Sequence, residues 1–363
     1  MSEPVWTGWG GTPRSAAHGV EFGSIDDARR ILTDAGARGV IGRGMGRTYG
    51  DAAQNAGGTV ADSRRASRVS AWDATRGIVT VEAGVTVEQL LRWGLPRGYF
   101  VPVIPGTRHV SIGGAIAADI HGKNHHRDGT FGQHVTSMVL CTPGEVLTLG
   151  PAEPLFGATT GGMGLTGLIT EASVRLHPVE TAYVRVDTER APDLDALLRS
   201  MAANDNQYGY SVAWVDLLAR GRSLGRGVLT SGDHATRAEL SGRARRDPLH
   251  FDPKVRAVVP VQLPVCVLSH AFVVAFNELW YRKAPRSRVG EIQSITEFFH
   301  PLDAVAGWNR LYGRRGFLQY QFVIPQHETA CLEMIIERLA ETGCPSFLAV
   351  LKRFGPANAA PLS

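Results

Sequence analysis

The sequence predicts an α+β protein of two domains, and three observations carry that reading. A chain of 363 residues exceeds what one hydrophobic core usually serves, so two units of roughly 150 to 200 residues are expected. Three dense glycine clusters, at 42–50, 105–122 and 159–167, all fall in the first half. After about Pro178 the clusters thin out, and strand-like runs alternate with helical ones, as in a largely antiparallel sheet covered by helices. The division is placed there, giving domains at 1–178 and 179–363.

Taken in order, Ser24 with Asp26 and Asp27 caps an amphipathic run at 25–35. Ala28, Ile31 and Leu32 stand at helical spacing and Gly36 ends it. Val40 and Ile41 enter the first glycine cluster as a strand. Residues 77–83 alternate as a strand, and Thr86 with Gln89 has capping-box spacing for a helix through Leu91 and Trp93. Residues 154–158 read as a helical turn before the third cluster, and 168–176 as a strand after it. In the second half, strands are expected at 183–186, 210–215, 272–276, 317–324 and 347–351. A helix is expected at 328–339, with Leu332, Ile335, Ile336 and Leu339 on one face. The most apolar stretch, 257–276, is interrupted by Pro260, Pro264 and His270, which argues against a membrane span. It reads as a buried strand pair with its turn, the alternative being a surface that meets lipid tails.

The formal charge of +4 is spread without a lysine-arginine block, so nucleic-acid binding is not supported. Cys141, Cys266, Cys331 and Cys344 show no CxxC spacing and read as free buried thiols, neither a disulfide framework nor a zinc site. The segment MSEPVWTGWGG has no basic region followed by an apolar one, so no signal peptide is read. Of the 38 basic residues only four are lysines, Lys123, Lys254, Lys283 and Lys352, which makes each conspicuous. Arg282, Lys283, Arg286 and Arg288 form a local basic run that reads as a solvated loop, or as a contact for a lipid phosphate or an anionic membrane.

Backbone amides hold a diphosphate only where nothing blocks close approach, and glycine permits that approach. Three glycine clusters in one half therefore suit a dinucleotide, with ordinary turn glycines as the plain alternative. Gly162, Gly164 and Gly167 match G-x-G-x-x-G in spacing, but a nicotinamide-binding unit needs a strand before that motif and a helix after it. Here the order is reversed.

The segment from Arg43 through Gly44, Met45, Gly46, Arg47, Thr48, Tyr49 and Gly50 to Asp51 resembles the diphosphate loop of the vanillyl-alcohol-oxidase-type FAD enzymes. Pro105-Gly106-Thr107 and Ser111-Ile112-Gly113-Gly114 resemble their second cradle. Within that superfamily, the motifs HGKNHH at 121–126, GGMGLTG at 161–167, ELWYRK at 278–283, FLQYQF at 317–322 and FGP at 354–356 are similar, in order, to the decaprenylphosphoryl-β-D-ribose oxidases. These are the flavin half of the epimerase that makes an arabinose donor for actinobacterial cell walls, and the similarity spans 9–363. The resemblance implies a two-domain FAD-binding fold with an antiparallel-sheet substrate domain. It implies cofactor contacts from the two cradles and from His121, Gly164, Thr166 and Ile169. It also implies a further C-terminal segment that returns to the flavin domain, carrying a lysine and a cysteine of the active site. Where many relatives bond a histidine covalently to the flavin, this chain has Arg47, which cannot make that link and suits a phosphate. Non-covalent FAD is expected.

Oxidising a secondary carbinol requires an acceptor for the hydroxyl proton and positive character near the reduced flavin. His121 and Lys123 supply both within three residues. A metal site from His121, His125 and His126 lacks an acidic ligand, and none is expected. If 317–322 is a strand, Gln319 and Gln321 share a face and can read sugar hydroxyls, the alternative being a solvated strand face. The resemblance places them in the substrate pocket with Trp214 and Lys352, and puts Phe299 where relatives often have tyrosine. It implies oxidation of the ribose C2 hydroxyl of a polyprenyl-phosphate sugar to the 2-keto sugar. A separate NADH-dependent keto-reductase would complete the epimerisation, with peripheral association at the cytoplasmic or periplasmic face of the plasma membrane. The alternatives are an oxygen-dependent sugar, alditol or aldonolactone oxidase of the same superfamily, and a non-catalytic flavin- or lipid-binding subunit.

Overall fold

The first glycine cluster begins where a small parallel sheet ends. In the computed structural model, which describes residues 4–343, 346, 348–358 and 360–361, the strands His18–Glu21, Thr59–Asp62 and Val40–Arg43 lie side by side in that order. The helix Ile25–Thr33 forms as its pattern requires: Ser24 Oγ accepts the Asp27 N–H, and Ala28, Ile31 and Leu32 are buried.

Beside it stands a five-stranded antiparallel sheet in the order Val146–Leu149, Val135–Cys141, Leu168–Arg175, Ile78–Glu82, Val69–Asp73. The helices Val87–Gly94, with its Thr86–Gln89 capping box, and Ile112–Ala117 bury apolar residues in the same core. The turn Pro154–Thr159 precedes the third glycine cluster and the strand Leu168–Arg175 follows it, so the order that excludes a nicotinamide motif is the order found.

The second half is built on another antiparallel sheet, ordered Ser287–Ser294, Tyr183–Ala191, Gly227–His234, Tyr210–Val215, Val350–Leu351. The helices Leu194–Asn204 and Thr329–Thr342 join through Leu194, Leu332 and Ile336. The largest core does not stop at residue 178. Val184, Val186, Tyr210, Ile295, Phe298 and Phe299 belong to the same cluster as Val79, Leu90 and Ile112.

Several sequence expectations are corrected. Residues 272–276 are not a strand but lie in the helix His270–Lys283, which Ser269 caps and which Asn277 anchors by donating to Asp216 Oδ1 at 2.7 Å. The stretch 257–276 is not a buried strand pair: Ala257–Val258 alone pairs, with Val305–Ala306, and Val261 and Val265 are 62% and 68% exposed. Residues 317–324 form no strand and join no sheet, and the last strand covers Val350–Leu351, with Phe347 outside the described residues. Of the thiols, Cys141 is buried, Cys331 half-buried and Cys266 exposed, while Cys344 lies outside the described residues. The basic run is solvated, but Arg282 and Lys283 end a helix and Arg288 lies in a strand.

Candidate active site

His121 leaves the five-stranded half through the turn after Ile112–Ala117, and an antiparallel bridge to Thr130 fixes its backbone. Two distant segments close on its ring. The extended arm after Gly316 brings Gln321 Nε2 to 3.3 Å from His121 Nε2, and the strand Val350–Leu351 delivers Lys352, whose Nζ is 3.4 Å from His121 Nδ1. Gln319 Nε2 donates to Gln321 Oε1 at 3.1 Å, so Gln321 turns its Nε2 to the ring. A neutral imidazole has one lone pair, so it accepts from Gln321 at Nε2 or from Lys352 at Nδ1, not from both at once.

Burial, reinforced by Lys352 and His125, pushes the imidazole down to about 4, so it is neutral across the working range and free to take a proton. Lys123 is held with Nζ donating to the Phe298 carbonyl and 4.0 Å from the centre of the Phe298 ring. Burial first, and Lys352 second, lower its ammonium to about 7, while burial lowers Lys352 to about 8. No carboxylate is among the groups that shift these three side chains. A half-buried cluster of two amines and an imidazole, each holding its proton less readily than usual, is built to receive negative charge. On its far side Phe354 stacks on His125 at 4.0 Å, and the Gly355 N–H donates to His125 Nδ1 at 3.0 Å.

The glycine loops meet the requirement of a cradle. A Cβ at Gly44 would lie 1.9 Å from Ser111 Oγ, which ties the first loop to the second with no room between them. Gly46 and Gly164 have φ of +60° and +83°, and a Cβ at Gly113 would press on Ala83 at 2.9 Å. Arg47 lies 3.9 Å above the Trp9 ring, and its buried Nε has no hydrogen-bond partner among the described residues. A buried cationic N–H left in this state is the donor that a phosphate oxygen satisfies, so the loops fit a dinucleotide such as FAD.

The remaining expected residues divide. Arg43 spends its guanidinium on the carbonyls of Thr7 and Ala53, at 2.6 and 3.1 Å, holding the loop itself. Tyr49 packs on Phe317, Thr107 Oγ1 donates to Asp303 at 2.7 Å, and Thr166 pairs with Thr159 at 3.0 Å. Met45, Thr48 and Gly50 lie in the first loop and Gly106 in the second, whereas Gly114 lies in the helix Ile112–Ala117 and Ile169 in the core. Trp214 pairs with Val350 across the sheet, two residues before Lys352, and Phe299 is buried against Phe100 and Tyr210. Sequence reasoning missed the buried network behind the second cradle, in which Arg108 bridges Glu88 at 3.0 Å and Asp303 at 3.2 Å. It also missed His300, which is fully buried and held neutral by burial and then by Arg108 and Lys123. Among the described residues no group of histidine, cysteine and carboxylate side chains is arranged to hold a metal ion.

Residues 16–150 match the FAD binding domain family. Over 98% of its length the chain is 43% identical to the decaprenylphosphoryl-β-D-ribose oxidase of Mycolicibacterium smegmatis, covering 79% of that protein. It is 37% identical to an uncharacterised Streptomyces coelicolor protein encoded in the mprA 5′ region, with 75% of each chain covered. A shorter match, 28% identity over 42% of this chain and 29% of the relative, is to a D-arabinono-1,4-lactone oxidase of Eremothecium gossypii.

Proposed function

The chain belongs to the family of FAD-dependent decaprenylphosphoryl-β-D-ribose oxidases, and from that premise we propose that it oxidises the ribose C2 hydroxyl of a polyprenyl-phosphate-linked ribose to the ketone. The observation that carries the reading is the His121 ring, held neutral and met by Gln321 at Nε2 and by Lys352 at Nδ1. FAD, when bound, supplies the two-electron acceptor for the C2 hydrogen.

The chain's own residues do the rest. Gln319 and Gln321 hold the sugar hydroxyls by amide hydrogen bonds. His121 Nε2 takes the proton of the C2 hydroxyl as the C–H bond is broken, so that the carbinol loses one hydride and one proton. Lys352, as the neutral amine, accepts the Nδ1–H and so leaves Nε2 as the free base, and Lys123 supplies positive charge beside the reacting centre. Phe298 covers the Lys123 amine, and Phe354 packs against the His121 ring. Arg47, Gly44, Gly46, Ser111, Gly113, Gly114 and Gly164 cradle the diphosphate, and with arginine at position 47 the cofactor is non-covalent. Residues 1–178 form the flavin half and 179–363 the substrate half.

The 2-keto product passes to a separate NADH-dependent keto-reductase. A lipid-linked substrate favours peripheral association with the plasma membrane, through exposed Phe272, Leu279 and Trp280 and the neighbouring Arg282, Lys283 and Arg286. No helix among the described residues is long and apolar enough to cross a membrane.

Turnover of the lipid-linked ribose, free alditols and aldonolactones by the FAD-loaded protein tests the substrate. Preference for the lipid-linked ribose is expected. Preference for the free sugars would make it an ordinary sugar oxidase, and failure of every substrate to bleach the flavin would leave only a carrier.

A further inference from the structure

The turn that delivers His121 contains a residue unusual for its place. The helix Ile112–Ala117 closes in a Schellman motif, with the Asp119 N–H donating to the Ile116 carbonyl and the Ile120 N–H to the Ala115 carbonyl, both at 3.0 Å. The left-handed position of that motif is ordinarily glycine, because a Cβ there crowds the backbone. Here it is Asp119, with φ +36° and 5% exposure.

What holds an aspartate in this conformation is its carboxylate. Oδ1 accepts the Gly132 N–H at 2.7 Å, and Oδ2 accepts from Asn358 Nδ2 at 3.2 Å, while the same Asn358 amide reaches Thr130 Oγ1 at 3.0 Å. Gly132 is shaped to receive it, since a Cβ there would lie 2.9 Å from Asp119 Oδ1 and 2.2 Å from Thr160 Cγ2. The segment gripped by the carboxylate is the one that pairs with the histidine: the Phe131 N–H donates to the Ile120 carbonyl at 2.9 Å, and Thr130 bridges His121. The same helix end carries the third glycine loop, through Gly161 N–H to Ile116 O at 3.0 Å and Met163 N–H to Ala117 O at 2.8 Å. Strained backbone of this kind persists only where its surroundings over-determine it, which directs attention to what the strain positions.

We propose that Asp119 is a positioning residue, whose carboxylate locks the left-handed turn so that the His121 ring meets Gln321 and Lys352 in register with the third glycine loop. The proposal rests on the reading of His121 as the proton acceptor. Glycine at 119 would ease the backbone but remove both anchors; asparagine would keep an oxygen for the Gly132 N–H. Carboxylate anchoring and simple backbone tolerance are therefore separable.

The test uses the FAD-loaded protein with Asp119→Ala, Asp119→Gly and Asp119→Asn, measuring the His121 titration by nitrogen-15 histidine NMR and the limiting rate of flavin bleaching by the lipid-linked ribose. The groups that shift His121 are Lys352, His125 and Gln321, whereas Asp119 acts on His125 instead. Movement of the His121 titration therefore reports changed packing, not the lost charge at 119. In the alanine and glycine variants His121 is expected to titrate at least one unit above the parent. Bleaching should slow by about tenfold or more, as a misplaced catalytic group does, with FAD affinity within about threefold of the parent. Asparagine should restore both readouts. Parent-like titration and rate in Asp119→Gly would overturn the proposal, as would an asparagine variant as impaired as the alanine one. If the parent itself is not bleached by the lipid-linked ribose, the assigned reaction is wrong, and the NMR titration decides the role of Asp119 alone.

Discussion

The turns around His121 and the sector at 255–323 solve opposite problems. Around His121, polar and charged groups are driven inward: Arg108 is buried, Lys123 and Lys352 are half-buried, and glycines bring backbone within contact of Ser111 and Ala83. In the outer sector the arrangement is inverted. The helix His270–Lys283 turns Asn277 and Glu278 inward to Asp216 and Arg226, while Leu279 and Trp280 are 68% and 45% exposed. The arm at 317–324 leaves Leu318 and Tyr320 exposed, yet it is the arm whose Gln321 reaches His121. The first region spends stability on chemistry, and the second presents apolar surface beside the site that the chemistry uses.

Four substitutions sharpen that contrast. Removing the proton acceptor with His121→Ala should slow flavin bleaching by about 10²- to 10⁴-fold while FAD still binds; an unchanged rate in stopped-flow would move the chemistry elsewhere. Lys123→Met should abolish turnover and yet raise stability at pH 6 by on the order of 3 kcal/mol, because a buried ammonium lowered from 10.5 to about 7 is a cost in the folded state. The sign follows from proton binding: between about pH 7 and 10.5 the unfolded chain holds a proton on this lysine that the folded one lacks. The parent therefore gains stability as pH rises through that window. Lys352 adds to the same slope above about pH 8, and thermal melts across pH should show the slope reduced in the variant. Gly44→Ala, which forces a Cβ against Ser111, should lower stability by about 1–3 kcal/mol and weaken FAD binding, read by melting and by flavin titration. The smallest effect belongs to the outer sector. Leu279→Ser should change stability by no more than about 0.5 kcal/mol while weakening co-sedimentation with phosphatidylglycerol vesicles, and a large destabilisation would show that this face is covered.

Legibility followed the range of the interactions. The helix expected at 25–35, the capping box at 86–89 and the glycine clusters are specified by neighbouring residues; the capping box formed where the pattern placed it, and the helix began at Ile25 but ended two residues early, at Thr33. His121 and Lys123 stood out because they are two positions apart in a lysine-poor chain. Lys352 and Gln321 meet His121 across 231 and 200 residues, a convergence that no local pattern encodes and that only the family resemblance suggested. FVVAF at 272–276 reads as a strand because its apolar and β-branched residues favour one, but Ser269 and the Asn277–Asp216 bond make it helical. At 317–324 the alternation was right, with Gln319 and Gln321 on one side, and the ladder was not, since no strand lies alongside. The Arg108–Glu88–Asp303 network and the Asp119 turn were illegible for the same reason: their meaning lies in partners far along the chain.

The central claim is that a glycine-built cradle sets FAD beside His121 so that the ribose C2 hydrogen leaves as hydride. Anaerobic stopped-flow bleaching of the FAD-loaded enzyme by polyprenylphosphoryl ribose, protonated or deuterated at C2, tests it directly. A bleaching phase slowed by deuterium at C2 is the predicted result. Bleaching that ignores the isotope, or none at all, would contradict the account.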